Sequence, residues 1–261
     1  MHNINNIALY SADSELDELV RKKSEQYQIE LTTQPEDFAY YLAYSSDNAE
    51  PGFRCSLHKT GKHAPGALLI DFTQGKAAHR RQFGGGRKQT LARAVGIKAS
   101  YNPRILDTSA GLGRDAFVLA CLGCEVTLLE RNPVIYELLQ NGLAHARLDN
   151  DIGEIVNSRL RLIFSDAKQY LQQLDTPLAF DTIYLDPMYP VREKSAQVKK
   201  EMQFFHDIAG SDVDADQTLE MAIALKPKRV VVKRPSSAKP LANRAANANV
   251  SSKNTRYDIY T

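Results

Sequence analysis

The sequence predicts an α/β protein, a parallel, doubly wound sheet from about residue 101 onward, preceded by a smaller α+β region. Three observations carry that expectation. After residue 101, short apolar runs alternate with stretches of helical period. A turn containing Gly111 and Gly113 joins the first of these runs to the first helix. Further on, Asp186-Pro187-Met188-Tyr189 follows the apolar run Thr182-Ile183-Tyr184-Leu185. That is the carboxyl edge of a strand, where open α/β sheets bind ligands.

Taken in order, residues 1–75 form the N-terminal α+β region. Residues 4–9 read as a strand, and 14–26 as a helix with Leu16, Leu19, Val20 and Tyr27 near a 3.6-residue period. Residues 29–32, 38–44 and 67–72 are further strands, with turn residues at 47–52 and 61–66. Residues 76–100 form a basic linker, in which Gly84-Gly85-Gly86 precedes a helix at 87–95. The main domain spans 101–261. Its strands are expected at 104–108, 125–130, 160–164, 181–185, 229–233 and 256–260. Helices are expected at 113–122, 133–146, 167–174, 197–208 and 215–225, and a loop at 239–253.

The chain has 261 residues, 43% hydrophobic and 25% charged, the composition of a globular protein. No apolar run approaches the roughly 18 residues of a membrane span, and the first residues lack the basic-then-apolar order of a secretory leader. Three cysteines, an odd number, make no disulfide framework, so a reducing cytoplasm is expected. Cys121-x-x-Cys124 has no second pair, and His58, His63, His79, His145 and His206 show no ligand spacing, so no metal is expected.

The net charge of +2 hides an asymmetry. Residues 1–50 hold ten acids against three bases, leaving +9 on the remainder. Lys76, Arg80, Arg81, Arg87, Lys88, Arg93, Lys98 and Arg104 come with no acid until Asp107. Such a run suits a phosphate-rich partner or, equally, a solvated basic face.

The first turn of the main domain reads as a cofactor site. Gly111 and Gly113 permit a tight turn and close approach of a ligand to the backbone. Glu130 ends the next strand 19 residues after Gly111, where an acid can accept from ribose hydroxyls. Gly111-x-Gly113-x-x-Ala116 also fits a dinucleotide fingerprint, so a nicotinamide oxidoreductase is a rival reading. Asp107 just before the turn, and the charged pair Arg114-Asp115 at the helix start, suit S-adenosylmethionine (SAM) better than a pyrophosphate. Asp166, after the third strand, either bonds an adenine amine, with Ala167 beside the ring, or caps the following helix.

These residues resemble a known family. Asp-x-x-x-Gly-x-Gly at 107–113, Glu130 and Asp-Pro-x-Tyr at 186–189 look like a class I SAM-dependent methyltransferase acting on exocyclic amines. The strings at 108–120, 128–133, 184–190, 199–202 and 229–235 are similar to the RsmJ-type family, which methylates a guanine N2 in 16S ribosomal RNA. The likeness is close over residues 66–261 and looser before. It implies a Rossmann-like class I methyltransferase sheet, and cofactor contacts at Arg114, Asp115, Glu130, Arg131, Asp166, Ala167 and Asp186. It also implies 16S rRNA or the small ribosomal subunit as partner. Met188 departs from the commoner pattern, which has a second proline there.

On that reading Asp186 and the Pro187 carbonyl accept from the guanine amine while Tyr189 stacks on the base. Arg80, Arg81, Arg87 and Lys88 are the expected RNA contacts, extended by Lys199-Lys200 and Lys233-Arg234 near the same carboxyl edge. A non-catalytic RNA-binding protein that kept the fold is the remaining alternative. Oligomeric state and the role of the acidic N-terminal third have no sequence signal.

Overall fold

The computed structural model describes residues 6–75, 85–175, 179–188, 207–210 and 212–261. The chain forms two compact units whose segments interleave. One comprises Met1–Asp71, Asn132–Leu148 and Met188–Ser211, the other Phe72–Arg131, Asp149–Pro187 and Asp212–Thr261. This division is not contiguous in sequence, unlike the one read from the onset of strand–helix alternation, because the helix Pro133–Arg147 packs with the N-terminal strands.

In the first unit, β1 (Ile7–Ser11), α1 (Asp17–Tyr27), β2 (Glu30–Thr32), β3 (Tyr40–Ser46) and β4 (Phe53–Lys59) build a sheet of order β2-β1-β3-β4. β1 is parallel to both its neighbours, and β3 and β4 form an antiparallel pair. The register aligns Leu9 with Leu42 and Leu42 with Leu57, and all three are buried on one face. β4 was not expected, although Phe53, Cys55 and Leu57 alternate with polar residues at a period of two. The strand expected at 67–72 is reduced to a single bridge, Leu57 to Leu68. Beyond it the chain packs on the helix Pro133–Arg147, where a Cβ on Gly142 would lie 2.6 Å from the Ile70 carbonyl oxygen. That helix buries Glu137, which accepts from Tyr27 Oη (2.6 Å), Tyr44 Oη (3.2 Å) and Lys23 Nζ (2.7 Å). A buried carboxylate so fully partnered ties α1, β3 and the helix together.

The second unit carries α2 (Thr90–Val95), β5 (Ile105–Asp107), α3 (Arg114–Cys121), β6 (Val126–Glu130) and, after the helix above (α4), α5 (Gly153–Arg159). β7 (Leu160–Phe164), α6 (Ala167–Gln172), β8 (Thr182–Leu185), α7 (Ala215–Ala224), β9 (Arg229–Pro235), β10 (Ala248–Ser251) and β11 (Thr255–Tyr260) complete it. The strand order is β10-β11-β9-β8-β5-β6-β7. β7, β6, β5, β8 and β9 are parallel; apolar runs such as Val230-Val231-Val232 are buried in the inner strands, while the edge strand β7 is partly exposed.

Two details correct the sequence expectation. The loop at 239–253 contains β10, and β11 and β10 run antiparallel. A parallel partner for β9 needs a crossover helix, and none is found between β9 and β11 among the described residues. α5 was also not expected. Of the helix expected at 197–208, residues 207–209 are helical and the rest lies outside the described residues.

Chain order reverses at β5, which has β6 on one side and β8 on the other. Ligands of open α/β sheets bind outside the carboxyl ends at such a reversal. No helix among the described residues is long and apolar enough to cross a membrane.

Candidate active site

The turn after β5 is shaped by its glycines. Gly111 (φ 53°) and Gly113 (φ 68°) both take left-handed backbone, and Gly113 is the residue before α3. The turn is then tethered from both sides. The Ala110 amide donates to the Leu129 carbonyl (3.0 Å) and the Gly111 amide to Glu130 Oε2 (3.1 Å), both on β6. Glu130 is buried at 8% exposure, so the acid expected at a ribose also holds the glycine turn.

On the β8 side, the Thr108 amide and Oγ1 both donate to the Tyr184 carbonyl (3.0 and 3.1 Å). The Asp186 amide donates to Ser109 Oγ at 2.6 Å. The turn expected to hold a cofactor and the start of the Asp-Pro-Met-Tyr segment are therefore stitched into one edge.

The register decides which side chains meet. Asp107 pairs with Tyr184 across β5 and β8, and Leu185 pairs with Val232 across β8 and β9. One step beyond, Asp186 faces Lys233. Asp107, Tyr184, Asp186 and Lys233 consequently share the sheet face on which Asp115 of α3 lies. Lys233 Nζ donates to Asp186 Oδ2 (2.7 Å) and Asp115 Oδ2 (2.9 Å), and Tyr184 Oη donates to Asp115 Oδ2 (2.7 Å). Asp107 accepts from the Ser109 amide at 3.0 Å.

Two carboxylates, Asp115 and Asp186, thus share one ammonium, with Asp107 close by. Burial pushes Asp107 up to about 7, against its bonds from Ser109, and the nearby Asp115 and Asp186 add to the shift. Burial also raises Asp186, opposed by Lys233. Burial alone would lower Lys233, but the Asp186 and Asp115 carboxylates outweigh it and hold the lysine above its ordinary value. An edge this rich in acid attracts a cation and repels a pyrophosphate.

The third strand's end is organised by Arg131. Its guanidinium donates to Asp166 (3.3 Å), Asp212 (2.5 Å) and Asp214 (2.8 Å), and Lys168 pairs with Asp214 at 2.9 Å. Asp166 Oδ1 accepts from the Lys168 and Gln169 amides, which makes it the cap of α6. Ala167 is the first residue of that helix and is half-buried, as is Arg114 at the start of α3.

Pro187 is buried and Met188 half-buried, whereas Tyr189, Arg80, Arg81, Lys199 and Lys200 lie outside the described residues. Arg87 donates to the carbonyls of Leu122 (2.9 Å) and Lys98 and to Asn102 Oδ1 (2.7 Å). Leu122 caps the carboxyl end of α3 and Asn102 precedes β5, so Arg87 and its exposed neighbour Lys88 stand at the amino edge of the sheet. The expectation that this segment and Lys233-Arg234 form one patch at the carboxyl edge is corrected. Lys233 is turned into the acid cluster, and Arg234 is buried and bonded to the Lys239 carbonyl. Sequence reasoning missed the roles of Lys233, Ser109, Asp212 and Asp214. Only Lys233 had a local signal, a cation closing an apolar strand at the ligand edge.

Comparison with known proteins gives the family. Residues 23–261 match a family model described as "Putative SAM-dependent methyltransferase". The ribosomal RNA small subunit methyltransferase J of Colwellia psychrerythraea is 43% identical over 98% of this chain and 93% of its own length. Its counterpart from Proteus mirabilis is 53% identical over 78% of this chain and 82% of its own. A crystal structure of a SAM-dependent methyltransferase from Neisseria gonorrhoeae superposes with a TM-score of 0.73 at 33% identity, covering 97% of this chain and 95% of that one.

Proposed function

Because this chain belongs to the SAM-dependent methyltransferase family of the small-subunit ribosomal RNA methyltransferase J proteins, we propose that it methylates the exocyclic N2 of a guanine in 16S ribosomal RNA. The observation that carries this reading is the 2.6 Å bond from the Asp186 amide to Ser109 Oγ. It joins an acceptor segment for a flat amine-bearing ring to a turn built for a nucleoside cofactor. The acid cluster of Asp107, Asp115 and Asp186 fits a cationic cofactor and sets the nicotinamide alternative aside.

In this reading Asp107 and the Gly111–Gly113 turn hold the methionine part of SAM, with Arg114 and Asp115 behind them. Glu130 takes the ribose, and Asp166, Ala167 and Arg131 form the wall at the adenine. Bound there, SAM supplies an electrophilic sulfonium methyl group. Asp186 and the Pro187 carbonyl accept from the guanine NH2, which frees the nitrogen lone pair from the ring, and Tyr189 stacks on the base. Acceleration then comes from placement and charge, without a covalent enzyme intermediate. The base must be unstacked to reach these groups.

Ribosomal RNA or the small subunit is the partner we assign, with Arg80, Arg81 and Lys88 on phosphate. The cytoplasm is the compartment this partner implies. The deciding experiment is transfer of radiolabelled methyl groups to unmodified small-subunit RNA by the Asp186→Ala and Tyr189→Ala variants. Both should lose at least about a hundredfold in rate. Near-wild-type rates in both would overturn the assignment.

A further inference from the structure

Lys233 lies in neither cofactor nor acceptor motif, yet its ammonium is the sole cation bonded to Asp186 among the described residues. It reaches Asp186 Oδ2 at 2.7 Å while Asp115 Oδ2, itself fixed by the Tyr184 hydroxyl at 2.7 Å, holds the lysine from the other side at 2.9 Å. We infer that Lys233 is a positioning residue for methyl transfer, which pins Asp186 as an anion with Oδ2 turned inward and Oδ1 presented to the amine of the acceptor base.

The inference rests on the function proposed above and gives that site a part that no motif supplied. A carboxylate that must accept from an NH2 group is useful only when ionised and correctly rotated. The surroundings of Asp186 work against ionisation. Burial is the largest effect, and the carboxylates of Asp115 from α3, Asp212 from the turn before α7 and Asp107 from the end of β5 add to it; the neutral Tyr184 hydroxyl, from β8, is bonded to Asp115. Lys233, from β9, is the group that opposes them. One ammonium between two carboxylates also fixes the rotation of the Asp186 side chain, because the bonded oxygen cannot turn outward without losing its partner. Lys233 gains this place from the β8–β9 register, which sets it opposite Asp186. Asp115, in turn, acts on Asp186 through the lysine.

The test compares Lys233→Met, Lys233→Gln and Lys233→Arg by single-turnover methyl transfer at saturating SAM, as a function of pH. SAM affinity by calorimetry and the melting midpoint are measured alongside. Saturating cofactor separates Asp186 from the pH dependence of cofactor binding at Asp107. Met and Gln should slow transfer tenfold or more at pH 7 and move the acid limb of the rate profile upward by about one pH unit. SAM affinity should stay within about threefold. Arg should restore most of the rate and the original limb. Gln keeps a hydrogen-bond donor without the charge, so it carries the test if Met does not fold. A wild-type limb and rate in Gln would overturn the inference, as would a rate loss matched by an equal loss of SAM affinity. If Asp186→Ala itself transfers normally, the function proposed for the site fails. If Asp186→Ala is inactive while Lys233→Gln behaves as wild type, only the role of Lys233 fails.

Discussion

The Gly111 amide donates to Oε2 of Glu130 across 3.1 Å, so the acid that ends β6 fixes the shape of the turn that follows β5. Glu130→Gln keeps an acceptor for that amide and removes the charge offered to ribose. It should weaken SAM binding by about tenfold to a hundredfold, the worth of a charge-assisted bond, with little change in melting midpoint. Glu130→Ala should lose affinity and also melt earlier. Calorimetry and thermal melting check both, and wild-type affinity in the Gln variant would remove Glu130 from the cofactor site.

The cofactor role proposed for Asp107 predicts that cofactor binding depends on pH. Its buried carboxyl titrates at about 7, so below that pH it is largely protonated and cannot hold an ammonium group. SAM affinity should therefore rise as pH increases toward 7 and level off above it, by at most about tenfold per pH unit. Stability of the ligand-free protein runs the other way. A folded-state value above the unfolded one contributes stability that is present below about pH 4 and is lost as pH rises through 7. Asp107→Asn should flatten the affinity profile and raise the melting midpoint at pH 8 relative to wild type. A pH-independent wild-type affinity between 5.5 and 8 would contradict this.

Arg131 neutralises a wall of three acids from two parts of the chain. Replacing it with Met leaves Asp166, Asp212 and Asp214 facing one another and should cost about 2–4 kcal/mol in urea unfolding. Lys should recover only part, since a compact ammonium lacks the wide, planar fork by which guanidinium reaches all three carboxylates. A Met variant of unchanged stability that loses only SAM affinity would make Arg131 a direct cofactor contact instead.

The basic segment should separate into two roles. Replacing Arg80, Arg81 and Lys88 with Ala should weaken RNA binding and lower its salt slope by up to about three, at 0.7–0.9 per phosphate contact. SAM affinity should not change. Arg87→Ala should act on stability, because the Leu122 and Lys98 carbonyls and Asn102 lose their donor. An unchanged salt slope in the triple variant would place the phosphate contacts elsewhere.

Much of this protein was legible in its sequence, and for local reasons. Gly111 and Gly113 announce a turn because left-handed backbone favours glycine, and the buried parallel strands announce themselves as apolar runs such as Val230-Val231-Val232. Asp107, Glu130 and Asp186 could be placed at the ligand edge because each ends, or directly follows, one of those runs. What the sequence could not decide is which side chains meet across strands. Lys233 looked like part of a basic surface, and the β8–β9 register instead sets it against Asp186. Arg87 looked like a phosphate contact, and the return of α3 to the amino edge gives its guanidinium to Leu122. Helix α4 follows β6 in the chain, yet Glu137 ties it to Tyr27 and Tyr44 of the N-terminal unit. Motifs depend on backbone conformation and burial over a few residues, which sequence records. Partners depend on register and packing between segments distant in the chain, and only the folded structure sets those.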